Sequence, residues 1–275
     1  MKLIRFGNFG KEKTGICIDG DNHDASAFGE DYDEQFFETG GLERLGKFVS
    51  ENKNKLPKLP GNIRIGSPIA RPSKIICIGL NYEDHAKELG SAIPDEPVIF
   101  MKPKSALLQP HTPFYYPEFT NELHYECELV LRISKNGKYI QDKFANKYYD
   151  AVTVGIDFTA RDIQNELKEK GLPWEKAKAW DNSAAIGKWI PFANLKNKKE
   201  LNFGLYKNKE LVQQGNSKDM LFDFDYIVSY ISNFFSINIG DLIFTGTPAG
   251  VGELVVGDEL EGFLEAENLF ALEVK

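Results

Sequence analysis

Alternating apolar and polar positions mark short strands along most of the chain. Residues 2–6 and 15–18 read as two such strands around a turn. Residues 34–55 carry helical spacing instead, with Leu42, Leu45, Phe48 and Val49 on one stripe. The stretch 52–60 is rich in Lys, Asn and Pro and reads as a linker, and 63–72 reads as a second connecting segment. A boundary near residue 70 divides the chain into a small N-terminal α/β domain, 1–70, and a larger domain, 71–275.

Beyond that boundary, strands are predicted at 74–78, 98–101, 123–133 and 151–156, with a short helix after Gly79-Leu80-Asn81-Tyr82. Lys135-Asn136-Gly137-Lys138 reads as the hairpin turn of the long strand 123–133. Helices are predicted at 159–170, ended by Gly171 and Pro173, and at 224–235, with Ile227, Tyr230, Ile231 and Phe234 on one face. Residues 201–207 and 210–213 form a hairpin about Asn208, and short strands at 242–245, 259–263 and 269–274 complete the chain. Many short strands and few helices predict an α+β, mostly β fold, with a core closed into a roll or barrel-like body.

Composition narrows the function classes. A hydrophobic fraction of 42% and 20 Phe supply a buried core. The net charge of −8 argues against a nucleic-acid partner, which needs a basic face. No apolar run approaches the length of a bilayer span, and the opening segment, polar again by Gly7-Asn8, is expected to carry no secretory signal. The three cysteines (Cys17, Cys77 and Cys127) are too widely spaced for a disulfide framework or a paired zinc site, which fits a reducing cytoplasm.

The candidate chemistry begins in 123–131. Strand alternation puts Tyr125, Cys127, Leu129 and Leu131 on one face and His124, Glu126 and Glu128 on the other. Two adjacent carboxylates repel unless a cation lies between them, and hard oxygen donors suit Mg²⁺, Mn²⁺ or Ca²⁺ better than zinc. A solvent-facing strand edge accounts for the same pattern. Asp157 ends an apolar strand just before a helix, where it reads equally as a ligand or as a helix N-terminal acid. His85 and Glu88 are spaced i, i+3, so a carboxylate can orient an imidazole; a surface histidine with a chance neighbour is the competing reading.

Five ordered motifs together resemble the fumarylacetoacetate hydrolase family. They are Ile78-Gly79-Leu80-Asn81-Tyr82-Glu83-Asp84-His85-Ala86, Phe100-Met101-Lys102-Pro103, His124-Tyr125-Glu126-Cys127-Glu128-Leu129, Asp157-Phe158-Thr159-Ala160-Arg161-Asp162-Ile163-Gln164 and the glycine-rich run 244–252. The run 160–164 leading to Lys170-Gly171-Leu172-Pro173-Trp174 and Ala177-Lys178 is similar to the acylpyruvase and oxaloacetate decarboxylase branch, as is His124 where many relatives carry Asp. The N-terminal 70 residues and Gly66 to Pro72 look more like the branch that hydrolyses diketo-deoxy sugar acids. A glycine-rich segment common near the family's C-terminus is replaced by Leu264-Glu265-Ala266-Glu267-Asn268.

The resemblance implies Mg²⁺ or Mn²⁺ on Glu126, Glu128 and Asp157, a homodimer, and a small keto-acid substrate. It implies that the His85–Glu88 pair activates water on a segment that orders over substrate, with Gly90 and Ser91 permitting a lid. Lys178 would stabilise oxyanion charge or deliver a proton. Arg161 and Gln164, i, i+3 on one helical face, would hold the substrate carboxylate or support the metal, although Arg161 could instead pair with Asp157 or Asp162. Lys102 would lie near the substrate, against the alternative of a solvated loop lysine, and Thr247 would bind the substrate carboxylate. His23 and His111 read as surface residues, and Trp174, Trp180 and Trp189 as core or dimer contacts. The expected reaction is hydrolysis of a carbon–carbon bond in an acylpyruvate or a 2,4-diketo-3-deoxy sugar acid. The alternatives are oxaloacetate decarboxylation or tautomerisation on the same metal, and a metal-bound scaffold without turnover. The presence of His85, Glu88 and Lys178 argues against the scaffold.

Overall fold

A computed structural model of the chain describes residues 2–8, 11–53, 55–66, 74–109 and 112–275. It falls into two compact units, Met1–Ser73 and Lys74–Lys275. The expected boundary near residue 70, most of the Gly66 to Pro72 segment, and His111 lie outside the described residues.

The first unit contains β1 (Lys2–Phe6), β2 (Lys13–Ile18), β3 (Asp21–Asp24), α1 (Glu34–Glu38), α2 (Gly41–Asn52) and β4 (Ile65–Gly66). The strands form one sheet in the order β3-β2-β1-β4, antiparallel throughout. The helical stretch is two helices rather than one; Asp33 starts the first by accepting the Phe36 amide, as a good N-cap does. Leu45 and Val49 turn into a core with Ile16, Tyr32, Phe36 and Leu56, while Leu42, expected on the same stripe, faces solvent. The expected linker is knitted to β3: Asp24 donates to Pro57 O and Leu59 to Asn22 O.

The second unit contains β5 (Ile75–Gly79), α3 (Glu83–Glu88), β6 (Val98–Lys102), β7 (Leu123–Tyr125), β8 (Cys127–Ile133), α4 (Asp142–Ala145), β9 (Tyr149–Asp157), β10 (Thr159–Ala160), α5 (Arg161–Glu169) and α6 (Glu175–Lys178). It continues with β11 (Ala184–Ile186), β12 (Ile190–Pro191), β13 (Asn202–Lys207), β14 (Glu210–Asn216), α7 (Phe224–Phe234), β15 (Leu242–Phe244), β16 (Gly252–Glu253), β17 (Glu259–Leu264) and β18 (Glu267–Glu273). The main sheet runs β11-β9-β8-β15-β5-β6, with β12 also on β9; β10-β7-β16 and β14-β13-β17-β18 form two more. The fold is α+β and dominated by strands that curl into a half-barrel body in the second unit, and the chain also has a small N-terminal α/β unit. Asn208 and Lys209 both take positive φ, the backbone that closes a two-residue hairpin between β13 and β14.

Two departures from the sequence pattern matter. The segment 135–138 is not a tight hairpin turn, because α4 intervenes before β9, Gly137 pairs with Ile237, and Asn136 accepts the Ile239 amide. The strand expected across 123–133 is broken at Glu126, so that β7 and β8 belong to different sheets. β9 and β10 break opposite it at Phe158. Cys127 pairs with Ile156 before the break and His124 with Thr159 after it, so one antiparallel register runs through the switch. A continuous pair of strands therefore turns from one sheet into another at Glu126 and Asp157.

Packing beside this switch leaves no spare volume. A Cβ at Gly155, opposite Glu128, would lie 2.7 Å from Ala185 O and 2.8 Å from Val130 Cγ2. Gly155→Ala should therefore destabilise the protein by about 1–3 kcal/mol and lower Tm by several degrees. Calorimetric unfolding checks this, and an unchanged Tm would contradict the packing described.

Candidate active site

The backbone switch brings the three acids together. Asp157, the last residue of β9, donates its amide to Glu126 O at 2.8 Å, and Glu128 follows two residues along the same face. Strand alternation separates two cores. Tyr125, Cys127, Leu129 and Leu131 enter the main core, whereas Val130, on the acids' face, packs with Cys77, Leu242 and Phe244. The carboxylate face is thus covered, not a wet edge: Glu126, Glu128 and Asp157 are 5%, 2% and 0% exposed. A ligand oxygen from each lies within 4.8 Å of the others.

Three buried cations meet these acids. Lys178, at the end of α6, donates to Glu126 Oε2 at 2.6 Å, Asp157 Oδ2 at 2.8 Å and Thr159 Oγ1 at 2.6 Å. Arg161, first in α5, donates from Nη2 to Glu126 Oε1 at 2.6 Å and from Nη1 to Gln164 Oε1 at 2.5 Å. Lys102, last in β6, lies 2.7 Å from Asp157 Oδ1 while donating to Lys178 O, Ser183 O and Ser183 Oγ. An ammonium has three N–H donors, and those of Lys102 are taken. Asp157 Oδ1 is accordingly buried without a hydrogen bond.

The electrostatics follow from this arrangement. Burial opposes the charged form of Glu126, but Lys178 and Arg161 outweigh it and hold the carboxyl far below its ordinary value. Burial lowers the basicity of Lys178, and Asp157 and Glu126 more than restore it. Glu128 is pushed well above the usual carboxylate range by burial and by the neighbouring charges of Asp157 and Glu126; its Oε2 accepts the Gly246 amide at 2.8 Å. A buried carboxylate oxygen that accepts no hydrogen bond, a carboxyl short of positive charge and an all-oxygen donor set fit a hard divalent cation on Glu126, Glu128 and Asp157.

Glu126, Glu128, Arg161 and Lys178 line a cleft together with His85, Gln164 and Thr247. His85 Nδ1 lies 3.1 Å from Glu88 Oε2 within α3, so the i, i+3 pair meets. Glu88 Oε1 accepts the Gly250 amide at 3.0 Å, which ties α3 to the glycine-rich loop. That loop needs glycine twice. Gly246 and Gly250 have φ of 97° and 99°, and a Cβ on either would strike Asn81 Cβ at 2.7 Å or Val212 O at 2.5 Å. Burial pulls the His85 pKa below its ordinary 6.5, against the opposing charges of Glu126 and Glu88.

Other residues stand apart from their expected places. Lys102 is neither a solvated loop lysine nor part of the cleft lining; it sits behind Asp157. Arg161 pairs with Glu126 rather than with Asp157 or Asp162, and Asp162 instead accepts from Thr120 Oγ1 and the Asn121 amide. Thr247 lines the cleft, but its hydroxyl donates to Cys127 O and accepts from Gln213 Nε2. His23 Nδ1 lies 3.3 Å from Leu56 O. Trp180 and Trp189 pack on the core clusters, whereas Trp174 lines the cleft.

Several contributors carried no signal in the sequence. Gln213 accepts the Cys127 amide, between the two glutamates, and donates to Thr247 and Pro248. Thr159 and Ser183 anchor the two lysines. Leu80, at the cleft wall, has a φ of 57°, a strained backbone for a leucine. Lys168 could have been found, since it extends the Arg161–Gln164 stripe by one helical turn.

Comparisons with known proteins identify the chain's relatives. The family described as fumarylacetoacetate (FAA) hydrolase C-terminal matches residues 74–275. A mitochondrial oxaloacetate tautomerase of Mus musculus is 38% identical over 201 residues, 73% of this chain and 91% of that protein. The fumarylpyruvate hydrolase of Pseudomonas aeruginosa, solved with Mn²⁺ and pyruvate, is 34% identical with a TM-score of 0.70, covering 74% of this chain and 89% of that one. A 5-carboxymethyl-2-hydroxymuconate delta-isomerase from Mycobacterium smegmatis, 26% identical with a TM-score of 0.71, covers 100% of this chain and 98% of that one, N-terminal unit included. With this match and a cluster of buried acids fit for a metal, the chain belongs to the fumarylacetoacetate hydrolase family, hydrolases that act on carbon–carbon bonds in ketonic substrates.

Proposed function

We propose that the chain catalyses keto–enol tautomerisation of a 2-oxo dicarboxylic acid of the oxaloacetate type, at a divalent ion, Mg²⁺ or Mn²⁺, held by Glu126, Glu128 and Asp157. Charge balance carries this reading. The three buried carboxylates are matched by the three buried cations Lys102, Arg161 and Lys178. A divalent ion then leaves the site positive at low dielectric, and Lys168 at the cleft wall adds to that charge, which a substrate with two carboxylates offsets better than one with a single carboxylate. Likeness to an oxaloacetate tautomerase supports the same substrate class. The proposal takes the active form to be a cytoplasmic homodimer.

When bound, the metal would polarise the 2-oxo group as a Lewis acid and make the C3 protons more acidic. The remaining work falls to the side chains. Glu88 accepts a hydrogen bond from the Nδ1–H of His85, which leaves Nε2 as the free base. Nε2 takes a proton from C3 while the electron pair moves onto the 2-oxygen, and the imidazolium then returns that proton to the oxygen. The reverse path restores the ketone, with no carbon–carbon bond broken and no water consumed. The Lys178 ammonium, at the cleft wall, stabilises negative charge that develops on the oxygen.

The dyad also favours a second reading. A neutral His85 oriented by Glu88 is equally a base for water, as cleavage of an acylpyruvate or a diketo-deoxy sugar acid to pyruvate and a carboxylic acid requires. Product analysis separates the two. With Mg²⁺ the protein should speed decay of the oxaloacetate enol absorbance without forming pyruvate, and a chelator should stop it until Mg²⁺ or Mn²⁺ is returned. Pyruvate formed in step with that decay, or activity that survives complete chelation, would contradict the reading.

A pH profile tests the base. The imidazole must be neutral to act, and its pKa is drawn below 6.5, so kcat/KM should hold through neutrality and fall only under pH 6.5. His85→Gln should lower kcat by about 10²–10⁴-fold and remove the acid limb. An acid limb retained in that variant would assign the titration to another group.

A further inference from the structure

Lys168 is a cation in the cleft that the metal site and the dyad leave unused. It follows Arg161 and Gln164 on one face of α5, at i+7 and i+4, and all three line the cleft. The other cleft cations are engaged: Lys178 by Glu126 and Asp157, and Arg161 by Glu126 and Gln164. Among the described residues Lys168 makes no ion pair with a carboxylate. Its ammonium instead lies 5.6 Å from the centre of the Trp174 ring, a cation–π contact that holds the group while leaving its N–H donors free.

The aromatic partner is fixed in turn. Trp174 packs edge-on against Phe100, centroids 5.9 Å apart, and Phe100 faces Lys178 Nζ at 5.3 Å. Phe100 and Trp174 form an apolar wall with an ammonium against each ring, Lys178 at the acid cluster and Lys168 at the other. Burial and the nearby Arg161 draw the Lys168 pKa below its ordinary value, against the opposing charge of Glu126, and an arriving anion would favour its charged form.

We propose that Lys168, seated on Trp174, is a second carboxylate subsite, which receives the distal carboxylate of the substrate and selects 2-oxo dicarboxylates over 2-oxo monocarboxylates. This rests on the keto-acid reading of the cleft and adds its specificity determinant. A free ammonium at a partly desolvated wall makes a charge-assisted bond to a carboxylate, and a methyl or methylene in the same place offers none.

Calorimetric binding to the Mg²⁺-loaded protein tests this with oxaloacetate and 2-oxobutanoate, two four-carbon 2-oxo acids that differ in the distal carboxylate. The wild type should bind oxaloacetate at least about tenfold more tightly. Lys168→Met should cut that preference severalfold while 2-oxobutanoate binds as before, which also reports that the variant is folded. Lys168→Arg should keep most of the preference, and in turnover Lys168→Met should raise KM for oxaloacetate more than it lowers kcat. Equal affinities in the wild type, a preference left unchanged by Lys168→Met, or equal loss for both acids would overturn the subsite. A protein that prefers oxaloacetate through Lys168 yet does not speed its tautomerisation keeps the subsite and overturns the reaction; one that tautomerises oxaloacetate but binds both acids alike does the reverse.

Discussion

Three carboxylates buried within 4.8 Å of one another are the constraint around which the second unit is built. Acids in a site of low dielectric repel one another and lose hydration, so each needs positive charge or donated hydrogen bonds. The chain supplies them from far away in sequence: Lys102 from β6, Arg161 from α5, Lys178 from α6 and the Gly246 amide from the loop after β15. Breaking one such buried pair typically costs about 3–5 kcal/mol. The surrounding elements are therefore tied to the acids as firmly as to the apolar core.

The backbone explains why the acids meet there. A strand pair that stayed in one sheet would carry Glu126 and Asp157 on along the same pleated surface. By switching sheets at those two residues while keeping register, the pair turns their side chains toward α5, α6 and the glycine loop. The same loop holds Glu88 through the Gly250 amide, and Glu88 orients His85. Candidate metal ligands and candidate base are thus linked through backbone amides of one loop, a form of preorganisation that does not depend on flexible side chains.

Local periodicity carried part of this into the sequence. Alternation predicts that Glu126 and Glu128 share a face, and i, i+3 spacing predicts contacts within the His85–Glu88 and Arg161–Gln164 pairs; the side chains lie so. Alternation does not say what covers a face. It left a wet edge open where the second core cluster, with Val130 and Phe244, buries the acids. It also could not show the break at Glu126, since both halves remain extended and in register. Lys102 was hardest to read, because its place behind Asp157 depends on Ser183 and the Lys178 carbonyl, more than seventy residues away. Gln213 and Thr159 act through contacts equally remote from any local pattern. The five ordered motifs supplied the family, and the charge balance of the folded cleft, which no motif expresses, directs the reading toward a dicarboxylate.

The central claim is that Glu126, Glu128 and Asp157 together hold one divalent ion. Mn²⁺ titration followed by electron paramagnetic resonance tests it without reference to any reaction. One Mn²⁺ should bind per chain, with affinity sharply reduced in each of Glu126→Gln, Glu128→Gln and Asp157→Asn. Failure of the wild type to bind Mn²⁺, or binding that all three variants retain unchanged, would contradict it.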